Sequence, residues 1–341
     1  MIMNKTSRMI ASVGALALGL SLASCASDGS TGDSISVVFL AASSQNGYNQ
    51  AVYEGIEQRA EELSKELGIT IETKIQDGQF DANTQLSQLQ NAAQLGQTDA
   101  IVVVPHDGPA LSAAFPLASE TPVVSVLNPI GPDINKMTPQ VEGVVSTVAT
   151  APEIGAKLQA EAVVEYCADI DPCKIGLLAG LLNSPLDIER LNAWHEVLDP
   201  HKNIQVVGTL EGSYDRDASL TAVSNLLQAS KDINGILSSA DQQTMGAQIA
   251  LENAGIDPSS IFLTGGGGTQ EAVQAVLDGK WTNDYLSFPV TMGRAALEQA
   301  VNAVRGEAVQ EVVDAHSLVD ISPVATKADI EGSDFVAEWN G

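Results

Sequence analysis

Basic residues are scarce. The 341-residue chain carries 16 lysines and arginines against 43 aspartates and glutamates, a formal charge of −27. A field of that sign repels nucleic acid and anionic lipid, so neither is an expected partner. Histidine is scarcer still: His106, His195, His201 and His316 are the only four, and they form no motif. No G-x-S-x-G or H-E-x-x-H occurs, so the chain shows neither the serine elbow of a hydrolase nor a zinc-protease helix. No catalytic residue, metal site or cofactor is therefore expected. Aromatics make up 4% of the chain, which makes a tyrosine placed in a loop informative.

Only three cysteines are present. Cys167 and Cys173 frame the loop CADIDPC between a helix and a strand. Outside the cytosol such a pair reads as a short-loop disulfide; a metal site is the alternative, with no histidine nearby in sequence. The third cysteine closes the N-terminal segment. Lys5 and Arg8 give a positive start, Met9 to Leu22 are apolar, and Leu22-Ala23-Ser24 precede Cys25. Residues 1–24 thus read as a secretory signal. Leu22 to Cys25 resembles the lipobox of bacterial lipoproteins, which implies that Cys25 is acylated and becomes the mature N-terminus. Residues 25–34, small and polar, form a flexible tether. The expected protein is extracytoplasmic, anchored to the bacterial cell membrane without spanning it.

What is abundant is alternation of strand and helix. Ile35 to Leu40 is a short apolar, β-branched run, the pattern of a buried parallel strand. A polar loop, Ser43 to Gly47, follows, and from Tyr48 the apolar residues Ala51, Val52, Ile56 and Ala60 fall at helical spacing. Ligands of open α/β sheets bind beyond the carboxyl ends of the strands, which puts Asn46, Tyr48 and Asn49 at a candidate site. Further strands are expected at 69–75, 100–104, 122–127 and 141–148. Helices are expected at 81–95, with Asp81 as cap, at 109–119 and from Pro152. The pattern then restarts, with strands at 174–178, 204–210, 235–238, 261–264 and 284–288. Helices follow at 187–198, 215–229, 241–254, 269–277 and 291–304. Two successive βα arrays imply an α/β protein of two doubly wound parallel-sheet lobes.

In this arrangement the chain after residue 34 resembles the type I periplasmic binding proteins of the ribose- and galactose-binding kind, sugar receptors of ABC importers. The resemblance implies a three-crossover hinge near Ala149-Thr150, Asp284-Tyr285 and His316-Ser317. It implies an N-terminal lobe of residues 35–149 plus 285–316 and a C-terminal lobe of residues 150–284 plus 317–341. Asn46-Gly47-Tyr48-Asn49 stands at the family's first-loop asparagine and stacking aromatics. Glu189-Arg190-Leu191-Asn192-Ala193-Trp194 matches the motif whose arginine forks onto sugar hydroxyls, which assigns ligand binding to Arg190 and lobe core to Trp194. Tyr214 falls at an aromatic wall position. Asp241 is the retained member of an asparagine–aspartate pair, with a helix cap as its other reading. Ser287 aligns with a glutamine at the last crossover, and His106 sits in a strand-end loop where ligand contact and a turn role are both open.

Two carboxylates of the pattern are missing. The strand PVVSVL leads into Leu127-Asn128 where the family has an aspartate, leaving Asn128 as the candidate contact. The family's G-x-D-G is here Gly265-Gly266-Gly267-Gly268. The implied function is a non-enzymatic, monomeric receptor that captures a sugar or sugar-like polyol and delivers it to importer membrane subunits. Fewer hydroxyls than a fully matched hexopyranose are expected on that solute. The alternative is a receptor for another small polar solute feeding chemotaxis or signalling.

Overall fold

The computed structural model describes residues 34–94, 96, 98–113 and 120–341. The secretory signal, Cys25 and all but the last residue of the tether lie outside the described residues, as does the end of the helix expected at 109–119.

The first sheet is built from β1 (Ser34–Ala41), β2 (Thr70–Asp77), β3 (Ala100–Val103), β4 (Val123–Val126) and β5 (Val144–Val148), completed by β11 (Val312–Val313). The order is β11-β5-β4-β3-β1-β2, with every pair parallel. β1 and β3 are buried on both faces, which is why they read as continuous apolar runs rather than alternating ones. One face is covered by α1 (Gly47–Leu67) and α9 (Pro289–Arg305), whose Val52, Ile56, Ala296 and Leu297 pack on Val37, Phe39 and Val124. The other face takes α2 (Ala82–Gln94) and the short α3 (Gly108–Ser112), through Leu89 and Leu111.

The second sheet repeats the plan. Its strands are β6 (Cys173–Ala179), β7 (Ile204–Glu211), β8 (Gly235–Ser238), β9 (Phe262–Gly267), β10 (Asn283–Leu286) and β12 (Val324–Ala325). The order is β12-β10-β9-β8-β6-β7, parallel except for the edge pair β10–β12. Helices α4 (Pro152–Tyr166) and α5 (Pro185–Leu198) pack on one face around Trp194 and Phe262. On the other lie α6 (Arg216–Ala229), α7 (Asp241–Asn253) and α8 (Gln270–Leu277), with α10 (Lys327–Glu331) against α8. Cys167 and Cys173 form a disulfide at a Cα separation of 5.7 Å, joining the end of α4 to the start of β6.

Three segments cross between the lobes: the stretch from β5 to α4, Ser287-Phe288 between β10 and α9, and the link from β11 to β12. The second differs from the sequence expectation by two residues. Asp284 and Tyr285 still pair with Gly265 and Gly266 on one side and with Ala325 and Val324 on the other, so the chain leaves the second sheet only after Leu286. Hydrogen bonds stitch the crossovers to each other. The Thr150 hydroxyl donates to Asp314 and accepts from the His316 amide, and the Tyr285 hydroxyl lies 2.8 Å from His316 Nε2. At the carboxyl end the tail after α10 keeps Phe335 and Ala337 on the second core, and Trp339 reaches across to Ala51 and Val290 of the first.

Candidate functional site

The carboxyl ends of both parallel sheets face a cavity enclosed between the lobes. Its polar corner is built on α5. Asp187, in the first turn of α5 and fully buried, accepts from the Leu181 amide at 2.7 Å and from the Tyr214 hydroxyl at 2.7 and 2.8 Å. Arg190, one turn further on, meets Asp187 at 3.4 Å and the Tyr214 hydroxyl at 3.2 Å. Both bonds use Nη1, so Nη2 and Nε remain to donate to a solute. Burial opposes the charge on Arg190, and the Asp187 carboxylate beside it restores it. Burial, and then the Asp187 carboxylate, push the Tyr214 hydroxyl well above its usual range, so it stays a neutral donor. Gly180 makes this packing possible: a Cβ there would come within 2.3 Å of the Tyr214 ring. Tyr214 itself holds φ = 54°, unusual for a bulky residue and a form of strain found at binding sites.

The opposite wall comes from the first loop. Asn46 caps α1, its Oδ1 accepting from the Asn49 amide, and Asn49 Nδ2 donates to the same oxygen at 3.0 Å. Asn49 Oδ1 in turn accepts from the Ala42 amide at 3.1 Å. Both asparagines line the cavity, yet their amides chiefly lock the loop that aims Tyr48 inward. The Tyr48 hydroxyl donates to Met292 sulfur at 3.4 Å, and Ser287 Oγ donates to that hydroxyl at 3.4 Å. Asn46, Tyr48, Asn49, Arg190, Tyr214 and Ser287 thus converge on one cavity, and His106 borders it.

Two predicted contacts stand apart from it. Asn128 is buried behind the wall, its Nδ2 directed at the Pro105 carbonyl; Leu127, held at φ = 73°, takes the cavity position instead. Asp241 is also fully buried and outside the lining, because its Oδ2 accepts from the Thr269 amide at 2.8 Å. Nor does it cap its helix, since Ala240 holds that position.

Beside it the fully buried Asp284 accepts from the Gly268 amide at 2.9 Å, so two carboxyls hold one loop. The other oxygen of each, Oδ1, makes no hydrogen bond of good geometry among the described residues. Burial raises both carboxyls, and the neighbouring Asp241 carboxylate adds to the rise at Asp284. Two buried carboxyls that raise one another's proton affinity favour a proton held between them. A raised folded pKa means the folded chain binds more protons than the unfolded one, from the ordinary carboxylate range up to the raised value. Stability therefore falls as pH rises through that window. An Asp284→Asn variant supplies the donor permanently, through its side-chain amide. Its thermal midpoint is expected to match the parent near pH 4 and exceed it by a few degrees at pH 8. A constant offset across that range would show that no proton is shared.

Several wall residues went unforeseen. Phe80, at φ = 51°, stacks on Tyr214 from the other lobe, with ring centroids 6.2 Å apart and planes within 19°. Met292 and Phe288 enter from the start of α9, and Trp339 from the carboxyl tail. The scarcity of aromatics was the signal that could have flagged Phe80 and Trp339, since neither lies within a helix or strand.

Among the described residues no helix is long and apolar enough to cross a membrane, and no cluster of three metal-ligating side chains occurs. The model of the periplasmic binding protein domain matches residues 37–308. The ribose import binding protein of Bacillus subtilis is 26% identical over 268 residues, 78% of this chain and 82% of that one. The D-apiose import binding protein of Actinobacillus succinogenes is 27% identical over 271 residues, 79% of each. The crystal structure of a Caulobacter myo-inositol binding protein bound to myo-inositol superposes with a TM-score of 0.73. It is 22% identical, covering 88% of this chain and 96% of that one, a likeness of fold. With two parallel sheets facing one enclosed cleft and a family match over most of its length, the chain belongs to the periplasmic binding proteins.

Proposed function

We propose that this protein is the solute receptor of an ABC importer and that it holds a sugar or sugar-like polyol in the interlobe cleft. The observation that carries the reading is the pairing of one half-committed guanidinium, Arg190, with aromatic walls at Tyr48, Tyr214 and Trp339. Fixed N–H donors suit hydroxyl oxygens, and aromatic faces suit the C–H face of a sugar ring. The family consists of non-enzymatic solute receptors outside the cytoplasm, and the related ribose and D-apiose proteins are named for import. Leu127 and Gly267, standing where the family pattern has carboxylates, favour a solute with fewer hydroxyls than a hexopyranose. The lipobox-like segment supports acylation at Cys25 and tethering to a membrane.

A thermal-shift screen of the segment from Ala26, unfolded and refolded to strip carried-over solute, tests the reading. Pentoses, hexoses, deoxy and branched sugars, polyols, cyclitols and amino acids make up the panel. A solute at 100 times its Kd adds about 2.7 kcal/mol, a shift of several degrees. A hit among sugars or polyols is expected. A hit confined to the amino acids keeps the receptor and discards the carbohydrate.

A further inference from the structure

The carboxyl tail is built into the cleft. After α10 the chain runs back across both lobes, and Trp339, 4% exposed, lies between them as part of the cavity wall. Its Nε1 donates to the Gly267 carbonyl at 2.8 Å in the second lobe. Its ring meets Tyr48 edge-on at 5.9 Å and packs on Ala51 and Val290 in the first. The residues beside it are pinned as well. The Trp339 carbonyl accepts from the Gln270 amide at 3.0 Å, and Glu338 accepts from the Thr291 amide and hydroxyl at 3.1 and 2.7 Å.

Gly267 leaves the room for this indole. A Cβ at that position would lie 2.9 Å from the Trp339 ring and 2.7 Å from Asp241 Oδ2, so any side chain there displaces the ring. The space beside this glycine is filled by carbon from the tail, and it is Trp339 that lines the cavity there. The single polar atom of the indole is already bonded to backbone, so Trp339 offers the cavity only C–H and ring carbon. A solute hydroxyl directed at this wall would lose its water and gain no partner, whereas a hydrogen or methyl loses nothing.

We infer that Trp339 is a specificity-determining residue: it selects solutes that present a hydrogen or methyl, and rejects those that present a hydroxyl, at the tail side of the cleft. This rests on the sugar-receptor reading above. It assigns recognition to a residue outside both βα arrays, and it makes the last residues of the chain part of the binding site.

Calorimetry with matched pairs differing by one hydroxyl tests it: D-fucose with D-galactose, 2-deoxy-D-ribose with D-ribose, and L-rhamnose with L-mannose. The parent is expected to bind the deoxy member of at least one pair at least tenfold more tightly. In Trp339→Ala, water enters beside Tyr48 and can partner the hydroxyl, so that ratio should collapse toward one. Trp339→Phe keeps a carbon wall and should retain most of the preference, which separates selectivity from loss of fold. Tryptophan emission supplies a second readout. Trp194 and Trp281 lie in second-lobe cores, so the emission change on adding a bound sugar should vanish in Trp339→Phe while binding persists. An unchanged ratio in Trp339→Ala, or a parent preferring the hydroxylated member of every pair, overturns the assignment. If neither member of any pair binds parent or variant and the wider screen also yields no sugar or polyol, the sugar reading itself fails and takes the assignment with it.

Discussion

Arg190→Ala is expected to weaken solute binding on the order of 100-fold or more while the lobes still fold. Hydrogen bonds to a charged donor are each worth about 1.5–3 kcal/mol, and the two free guanidinium nitrogens can supply a pair of them; about 3 kcal/mol is already two decades in Kd. The fold survives because Asp187 keeps two donors without Arg190, the Leu181 amide and the Tyr214 hydroxyl. A buried carboxylate that loses its cation is nevertheless destabilised, so the thermal midpoint should also fall by a few degrees. Arg190→Lys separates the two effects. It preserves a charge near Asp187 but not the planar fork, so stability should recover more than affinity. Calorimetry with the strongest screened solute and thermal melts without it are the measurements. Parent-like affinity in Arg190→Ala would move the binding site elsewhere in the molecule.

The largest effect on stability is expected from a residue that touches no solute. Gly55 on α1 faces Val290 on α9 so closely that a Cβ would sit 1.9 Å from the Val290 carbonyl oxygen. Gly293 makes the reciprocal approach, its Cβ position lying 2.1 Å from the Val52 carbonyl oxygen. Two helices thus meet backbone to backbone, and neither contact can be relieved by turning a side chain. Gly55→Val should cost about 3 kcal/mol by overpacking and lower the thermal midpoint by roughly 5 °C. Glu57→Ala, an exposed change on the same helix, should leave it within a degree or two. A Gly55→Val midpoint equal to the parent's would mean that α9 can slide away at no cost. It should not, because the start of α9 also carries Phe288 and Met292 into the cavity wall.

Much of the architecture could be read from the chain because periodicity reports local structure directly. The apolar runs at β1, β3 and β4 and the cap at Asp81 depend on near neighbours, and they appear where the pattern puts them. Arg190 and Tyr214 were legible from a motif, and their shared partner Asp187 was not, since only the folded turn between β6 and α5 brings its carboxylate to Tyr214. Asn128 and Asp241 misled for the opposite reason. A position after a strand points toward the cleft or behind it according to one backbone torsion, and the positive φ of Leu127 turns Leu127 inward and Asn128 away. Phe80 depends on the same kind of torsion. Trp339 lies more than 70 residues from the Gly267 carbonyl it caps, a pairing that no local pattern encodes.

The Phe80–Tyr214 stack and the 2.7 Å bond from Asn135 to Glu189 join the lobes directly, protein to protein. Closure therefore draws part of its free energy from contacts that are the same whatever occupies the cleft. Such contacts raise the fraction of empty receptor already shut, and they slow the escape of a captured solute by the same amount in free energy. On the receptor reading proposed above, the Phe80–Tyr214 stack and the Asn135–Glu189 bond are protein contacts that opening of the cleft would have to break, whatever the solute.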